Sequence, residues 1–418
     1  MKAEILSIGT ELLLGSILNT NARFLSQKLA ESGVDVYRQT SVGDNVGRIA
    51  EAFAEALRRS DAVVASGGLG PTKDDVTLEG LARFLGRPLA VHQPTWRHIK
   101  QRLESRGYKM TSLSGRQCRL PVGAIVFPNP VGTAPALLCE TVFEGRKKWI
   151  AVFPGPPQEL EPLFKPVLTT LLRRANVRPE HFIKRTIRIS GLLEIDVARK
   201  VPDLLKSRPP LTVGIYAKPG EVELAVMSKH VSRAKALAAA DRVEKTVRRR
   251  FGADVYGVDN ETVASALGAL LRKKKSTLSI AESCTGGLAS DLLSDVSGSS
   301  DYFAGSLVAY SNRIKEDLLG VAEEVLKKHG TVSPQTAWLM AKNVRQVFGT
   351  GYGIAITGIA GPSGGSVKKP VGLVYIALSS PRKITVHENR FYGTRAEIKS
   401  RAARMALDLL RRALLKNF

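Results

Sequence analysis

The sequence predicts an α/β protein: two α/β three-layer domains joined by a small α+β module. Three observations lead there. The chain has 418 residues, more than one hydrophobic core usually organises. Toward both ends of the chain, short β-type apolar runs alternate with stretches of three- and four-residue apolar spacing, the rhythm of helices laid on a parallel sheet. Between them lies a basic stretch that reads as strands followed by one long helix. The expected domains are residues 1–175, 176–255 and 256–418.

In the first domain AEILSIG and DAVVASGG read as strands, each ending in Gly. NARFLSQKLAESG and VGRIAEAFAEALRRS read as helices that stop at Gly or Ser. AIVFPNPVG and WIAVFPGPPQEL add two strands that run into Pro/Gly loops, and a helix ending near Ala175 closes the domain. The second segment, opening near Pro179, reads HFIKRTIRIS as a strand, LEIDVARKVPDLL as a helix, LTVGIYAK and EVELAVMS as strands, and RAKALAAADRVEKTVRRR as a basic helix. GADVYGVDNE reads as an exit linker and a further strand. The third begins with the helix ETVASALGALLRKKK, the strand TLSIAES, the turn CTGG and the helix LASDLLSDV. FAGSLVAYS, GYGIAITG and VGLVYIALSS follow as strands, and RAEIKSRAARMALDLLRRALL closes the chain as a basic amphipathic helix.

Composition narrows the function classes. Cys118, Cys139 and Cys284 form neither a paired framework nor a metal-ligand spacing, so a reducing, cytoplasmic setting is expected. The opening MKAEILSIGTELLLGSIL carries Glu4 and Glu11 inside its apolar stretch and reads as a strand and turn rather than a signal peptide. No apolar run approaches the ~20 residues that cross a bilayer. The formal charge of +24 is spread as +5 over residues 1–170, +10 over 171–255 and +9 over 256–418. Such charge favours anionic partners. The basic runs are short and lack interleaved aromatics, which suits a solvated surface better than a nucleic-acid stacking platform.

Two stretches could carry chemistry. SGGLGPTKDDVT, residues 66–77, follows a strand and opens a helix. Gly67, Gly68 and Gly70 let a ligand approach the backbone, and amides at such a turn suit phosphate oxygens. Asp74 and Asp75 would oppose that anion unless a divalent cation stood between them. The alternative is a Gly-rich turn whose aspartates support the helix N-terminus. IGTELLLG and NPVGTAP place further Gly/Thr/Asn loops at strand ends, where open α/β sheets bind ligands.

The second stretch is AESCTGGLAS, residues 281–290. Ser283 would be presented at a strand end, and Gly286 and Gly287 lead into a helix. A serine nucleophile needs a base. His329 in its KKHG turn reads as a helix-end cap, which leaves a Ser–Lys arrangement with Lys315, assisted by the Tyr310 hydroxyl. The alternative is a helix cap at Ser-Cys-Thr. Cys284 is a rival nucleophile without a His partner and reads as structural.

Taken together, IGTELLLGSILNTNARFL, VGDN, SGGLGPTKDD, NPVGTAPAL and FPGPPQEL resemble the N-terminal domain of the CinA family, of molybdopterin-binding-like fold. That resemblance implies a metal-dependent ADP-ribose pyrophosphatase. It carries Thr10, Glu11, Gly67, Gly68 and Thr133 over as substrate-binding residues and Asp44, Asp74 and Asp75 as metal ligands, for a divalent ion with a monovalent cation as a further option. AESCTGG, SGSSDYFAGSLVAYSNRIKEDLLGV, HGTVSP, ITGIAGPSGG and KPVGLVYIAL resemble the CinA C-terminal domain. They imply hydrolysis of nicotinamide mononucleotide to nicotinic acid mononucleotide and ammonia, with no cofactor. Ser283 would be the nucleophile, Tyr310 and Lys315 its activators, and Thr285, Gly286, Gly287, Thr357, Gly358 and Gly361 the pocket. The middle segment resembles the family's KH-like module but lacks a GXXG loop, SGLLE at 190–194 being the nearest approach. A homodimer without a membrane partner is implied. The competing expectations are a non-enzymatic nucleic-acid- or protein-binding factor, and an N-terminal domain that binds ligand only to regulate the amidase.

Overall fold

The described residues of the computed structural model are 1–177, 180–218 and 220–416, so the segment start placed near Pro179 lies outside them. The chain divides into two units, Met1–Ile183 with Lys229–Ala236 and Lys184–Ser228 with Leu237–Phe418. Most of the middle segment therefore shares a unit with the third, while Lys229–Ala236 and the residues up to Ile183 are grouped with the first.

In the first unit the strands Asp35–Val42, Lys2–Ile8, Ala62–Ser66 and Arg146–Phe153 lie parallel in that order, and Ala136–Phe143 and Ile125–Phe127 extend the sheet antiparallel. The expected parallel sheet is thus mixed. Apolar periodicity does not reveal two of its strands. Asp35–Val42 is a largely exposed edge, and Ala136–Phe143 begins directly after a Pro/Gly loop. Successive side chains alternate between faces. Ile5 and Val64 join the core under the helices Thr20–Glu31 and Pro157–Arg174, while Leu6 and Val63 join the core under Val46–Arg59 and Thr77–Leu85. Helices on both faces explain why these strands are apolar throughout. Within the apolar first strand, buried Glu4 is held by Arg59 at 2.7 Å and Thr40 at 2.8 Å.

The second unit holds two sheets. Leu211–Lys218, Glu221–His230, His181–Ser190 and Val255–Val258 form one, in that order. The stretch read as linker and strand thus contributes a sheet edge. The single helix expected over LEIDVARKVPDLL is two, Glu194–Lys200 and Pro202–Leu205, because Pro202 has no N–H to continue the ladder. Phe303–Val308, Leu278–Glu282 and Tyr352–Gly358 run parallel in the other sheet, followed by antiparallel Leu373–Ser379 and Ile384–Arg390. The last of these is a half-exposed edge whose mixed polarity hides it in the sequence. Ile280 and Ile354 pack under the helices Val263–Lys273, Leu288–Ser294 and Arg395–Leu415. Ala281 and Ala355 pack under Pro334–Val347 on the other face. Within this unit Asp408, buried on the closing helix, accepts from Ser190, Arg411 and Arg412. The place where a GXXG loop would stand is thereby tied to the C-terminal helix.

Candidate functional site

Leu278–Glu282 has parallel neighbours on both sides, so its carboxyl end is a topological switch point, where open α/β sheets receive ligands. Two residues arrive there with different tasks. Glu282 is fully buried and accepts from the amides of Gly287 at 3.0 Å, Ala289 at 3.1 Å and Ser290 at 2.9 Å, and from the Ser290 hydroxyl at 2.6 Å. A carboxylate on the orphan amides of a helix start offsets its own burial. The turn it closes needs Gly286 and Gly287 at φ +63° and +95°, where a side chain would be strained. These amides are spent on Glu282 and do not face a substrate.

Ser283 presents its hydroxyl to Lys315. The Lys315 Nζ lies 3.1 Å from Ser283 Oγ and donates to the carbonyls of Ala309 at 2.7 Å and Tyr310 at 3.1 Å. Lys315 sits on the helix Asn312–Asp317, whose start is capped by Ser311, and is completely buried. No carboxylate pairs with it among the described residues. Burial pushes its pKa down from 10.5 to about 8, because a cation loses hydration there without gaining a counter-ion. A substantial fraction is neutral near pH 8 and able to accept a proton. Burial drives the neighbouring Cys284 thiol the other way, to about 12, which keeps it from acting as a nucleophile.

Tyr310 departs from expectation. Its carbonyl holds Lys315, whereas its hydroxyl accepts from Arg395 Nη2 at 2.9 Å. The ring is 59% exposed, so the phenol lies outside the buried pair that it was expected to orient. Arg395 also donates to the Gly361 carbonyl at 2.6 Å. Lys399, one turn on, hangs over Gly286, where a Cβ would sit 3.7 Å from its Nζ. Sequence reasoning passes over both cations. Their signal is positional, for Arg395 and Lys399 occupy the start of a helix, the end that disfavours positive charge. Thr357 gives its hydroxyl to the Thr331 carbonyl at 2.9 Å, and a Cβ on Gly358 would meet the Leu373 carbonyl at 2.7 Å, so strand packing accounts for both. Thr285 Oγ1, by contrast, is buried without a partner among the described residues, a donor left for a bound molecule.

The first unit has its own switch point between Lys2–Ile8 and Ala62–Ser66. A Cβ on Gly67, at φ +106°, would stand 2.0 Å from the Ile8 carbonyl, so only glycine lets the two strand ends close together. They border a cleft of about 370 Å³ that also meets Glu11, Gly68, Asp44, Asp74 and Asp75. Thr10 sits behind it, donating to Asp44 from its amide and hydroxyl at 2.8 Å each. Asn19, which caps the helix Thr20–Glu31, and Asn21, which donates to the Gly155 carbonyl at 2.6 Å, line the cleft as well. Their only sequence signal is the adjacent LNTN. Thr133 is not among the described residues that line it, because Asn129 folds the 129–134 loop onto Ala134 and Glu159.

Several groups expected of the metal trio and the phosphate cradle are engaged within the protein. Asp75 accepts from the Gly70 amide at 2.9 Å and the Thr72 amide at 3.0 Å, and the Gly67 amide is given to the Phe153 carbonyl. These amides are therefore not aimed at a ligand. The Thr72 hydroxyl also donates to Asp75, at 2.5 Å. Asp44 is taken by Thr10. Asp75 is engaged within its own loop and Asp44 by Thr10, and no metal-binding group of three His, Cys, Asp or Glu gathers among the described residues. The trio does not fit an assembled all-protein metal cage.

Three family models match successive stretches of the chain. The family descriptions matched are "Probable molybdopterin binding domain" over residues 4–174, "Damage-inducible protein CinA KH domain" over 184–257 and "CinA C-terminal domain" over 260–414. A CinA-like protein of Kosmotoga olearia is 44% identical over 416 residues, covering 99% of both chains. The chain belongs to the CinA family. A second CinA-like protein, of Dictyoglomus thermophilum, is 44% identical over 99% of this chain and 100% of its own. Among solved structures, the protein CinA of Thermoplasma acidophilum is 37% identical, with a TM-score of 0.37, over 41% of this chain and 99% of its own. No helix among the described residues is long and apolar enough to cross a membrane.

Proposed function

We propose that the C-terminal domain is a Ser/Lys amidohydrolase acting on nicotinamide mononucleotide in a reducing, cytoplasmic setting. The observation that carries this reading is the buried, counter-ion-free Lys315 at 3.1 Å from Ser283 Oγ. Neutral Lys315 takes the Ser283 proton as Oγ attacks the carboxamide carbon. Lys315 then returns that proton to the departing nitrogen, which leaves as ammonia, and an acyl-serine remains. Water attacks the ester with Lys315 again as base, releasing the carboxylate and restoring the serine. Arg395 and Lys399 supply positive charge beside the Ser283 turn for the substrate phosphate. Thr285 offers an uncommitted buried hydroxyl.

Ammonia release from nicotinamide mononucleotide by the full chain tests the reading. Ser283→Ala and Lys315→Met should each lose about a thousandfold or more in kcat. A folded parent without activity, or a Ser283→Ala variant at the parent rate, overturns it. For the N-terminal cleft we propose binding of a nucleoside diphosphate of the ADP-ribose class, supported by its place at the switch point of a mixed sheet. Hydrolysis there needs a divalent ion that the three aspartates do not by themselves gather.

A further inference from the structure

Beside the closing helix, away from Ser283, the second unit has a cavity of about 510 Å³, within the range of small-molecule pockets. Arg401, Arg404 and Met405 line it from that helix, and Leu193, Phe391 and Tyr392 line it from the middle module and the loop before the helix. The apolar members are set out for contact, Leu193 being 69% and Tyr392 79% exposed. The charged lining is Lys218, Arg390, Arg401 and Arg404 against Glu194, Glu221 and Asp408. Asp408, at the base, is saturated by Ser190, Arg411 and Arg412. Glu221 is shared among Tyr256, Arg188 and, at 3.7 Å, Arg404. Arg401 donates to the Tyr392 carbonyl at 2.7 Å, but its Nε is buried without a hydrogen-bond partner among the described residues. A buried guanidinium N–H left unmade is costly, and an anion entering beside the aromatic lip would satisfy it.

We infer that this cavity is a second ligand site, taking a small anion that carries a flat apolar group. The anion meets Arg401 and Arg404, and the ring lies between Leu193, Phe391 and Tyr392. The binding stands apart from the amidase reading. Its consequence rests on that reading: the helix that carries Arg401 and Arg404 also carries Arg395 and Lys399 to the Ser283 turn, so an occupant has a route to the amidase rate.

Anilinonaphthalene sulfonate, an aryl sulfonate of this class, is the probe. Fluorescence titration of the full chain should saturate at one molecule per chain. Affinity should fall about tenfold in Arg401→Gln, as for the loss of a charge-assisted hydrogen bond. Tyr392→Ala, whose exposed ring leaves the fold intact when removed, should weaken it several-fold. Absence of saturable binding, or equal affinity in the parent and both variants, overturns the site. These outcomes are independent of whether ammonia is released.

Discussion

At the scale of single residues, Lys315 is where burial becomes chemistry. Its pKa falls from 10.5 to about 8, so between those values the folded protein has released a proton that the unfolded chain keeps. Its burial therefore costs stability in full below about pH 8, and the cost lifts as pH rises toward 10.5. Denaturant unfolding of the parent and Lys315→Met should show the parent gaining about 3 kcal/mol relative to the variant across that window. A constant difference would contradict the shift. Tyr310 makes a separate prediction. Because its hydroxyl holds Arg395 and not Lys315, Tyr310→Phe should raise KM a few-fold and leave the pH dependence of kcat unmoved. A displaced pH limb would restore the phenol to the proton path.

At the scale of elements, a strand end places Ser283, and the helices Asn312–Asp317 and Arg395–Leu415 carry Lys315, Arg395 and Lys399. Much of this was legible. AESCTGG announced a strand, a glycine turn and a helix, and Ser283 stood where the turn begins. The role of Glu282 was not legible, since a carboxylate at the end of an apolar strand looks the same whether it meets solvent or three amides. Thermal unfolding of Glu282→Ala should reveal about 3 kcal/mol of destabilisation, from orphaned amides at a buried helix start. An unchanged melting temperature would show that the helix is held elsewhere. The SGGLGPTKDD loop left two readings open for a related reason. Glycines and aspartates in that order suit a phosphate cradle or a turn that supports the helix start, and Asp75 occupies amides of its own loop. Spacing shows which groups are near one another, not which have already been satisfied. Edge strands such as Ile384–Arg390 escaped because one-sided exposure removes the apolar run that marks their neighbours.

At the scale of the whole molecule, each unit organises a parallel-stranded centre whose switch point faces a Gly-rich turn, and the two turns differ in the side chains they deliver. In the first unit Asp75 closes on its own loop and Asp44 on Thr10. In the second the turn delivers a serine to a buried lysine, with cations at an adjacent helix start. The +24 charge gains a local meaning there, since Arg395, Lys399, Arg401 and Arg404 all lie on the closing helix. If Lys315 is the base for Ser283, it sets the pH dependence of kcat/KM for ammonia release from nicotinamide mononucleotide. From about pH 6.5 to 9.5, the rate should climb tenfold per pH unit at first and level off around an apparent pKa near 8. A profile flat across that range would mean that a group other than Lys315 takes the proton.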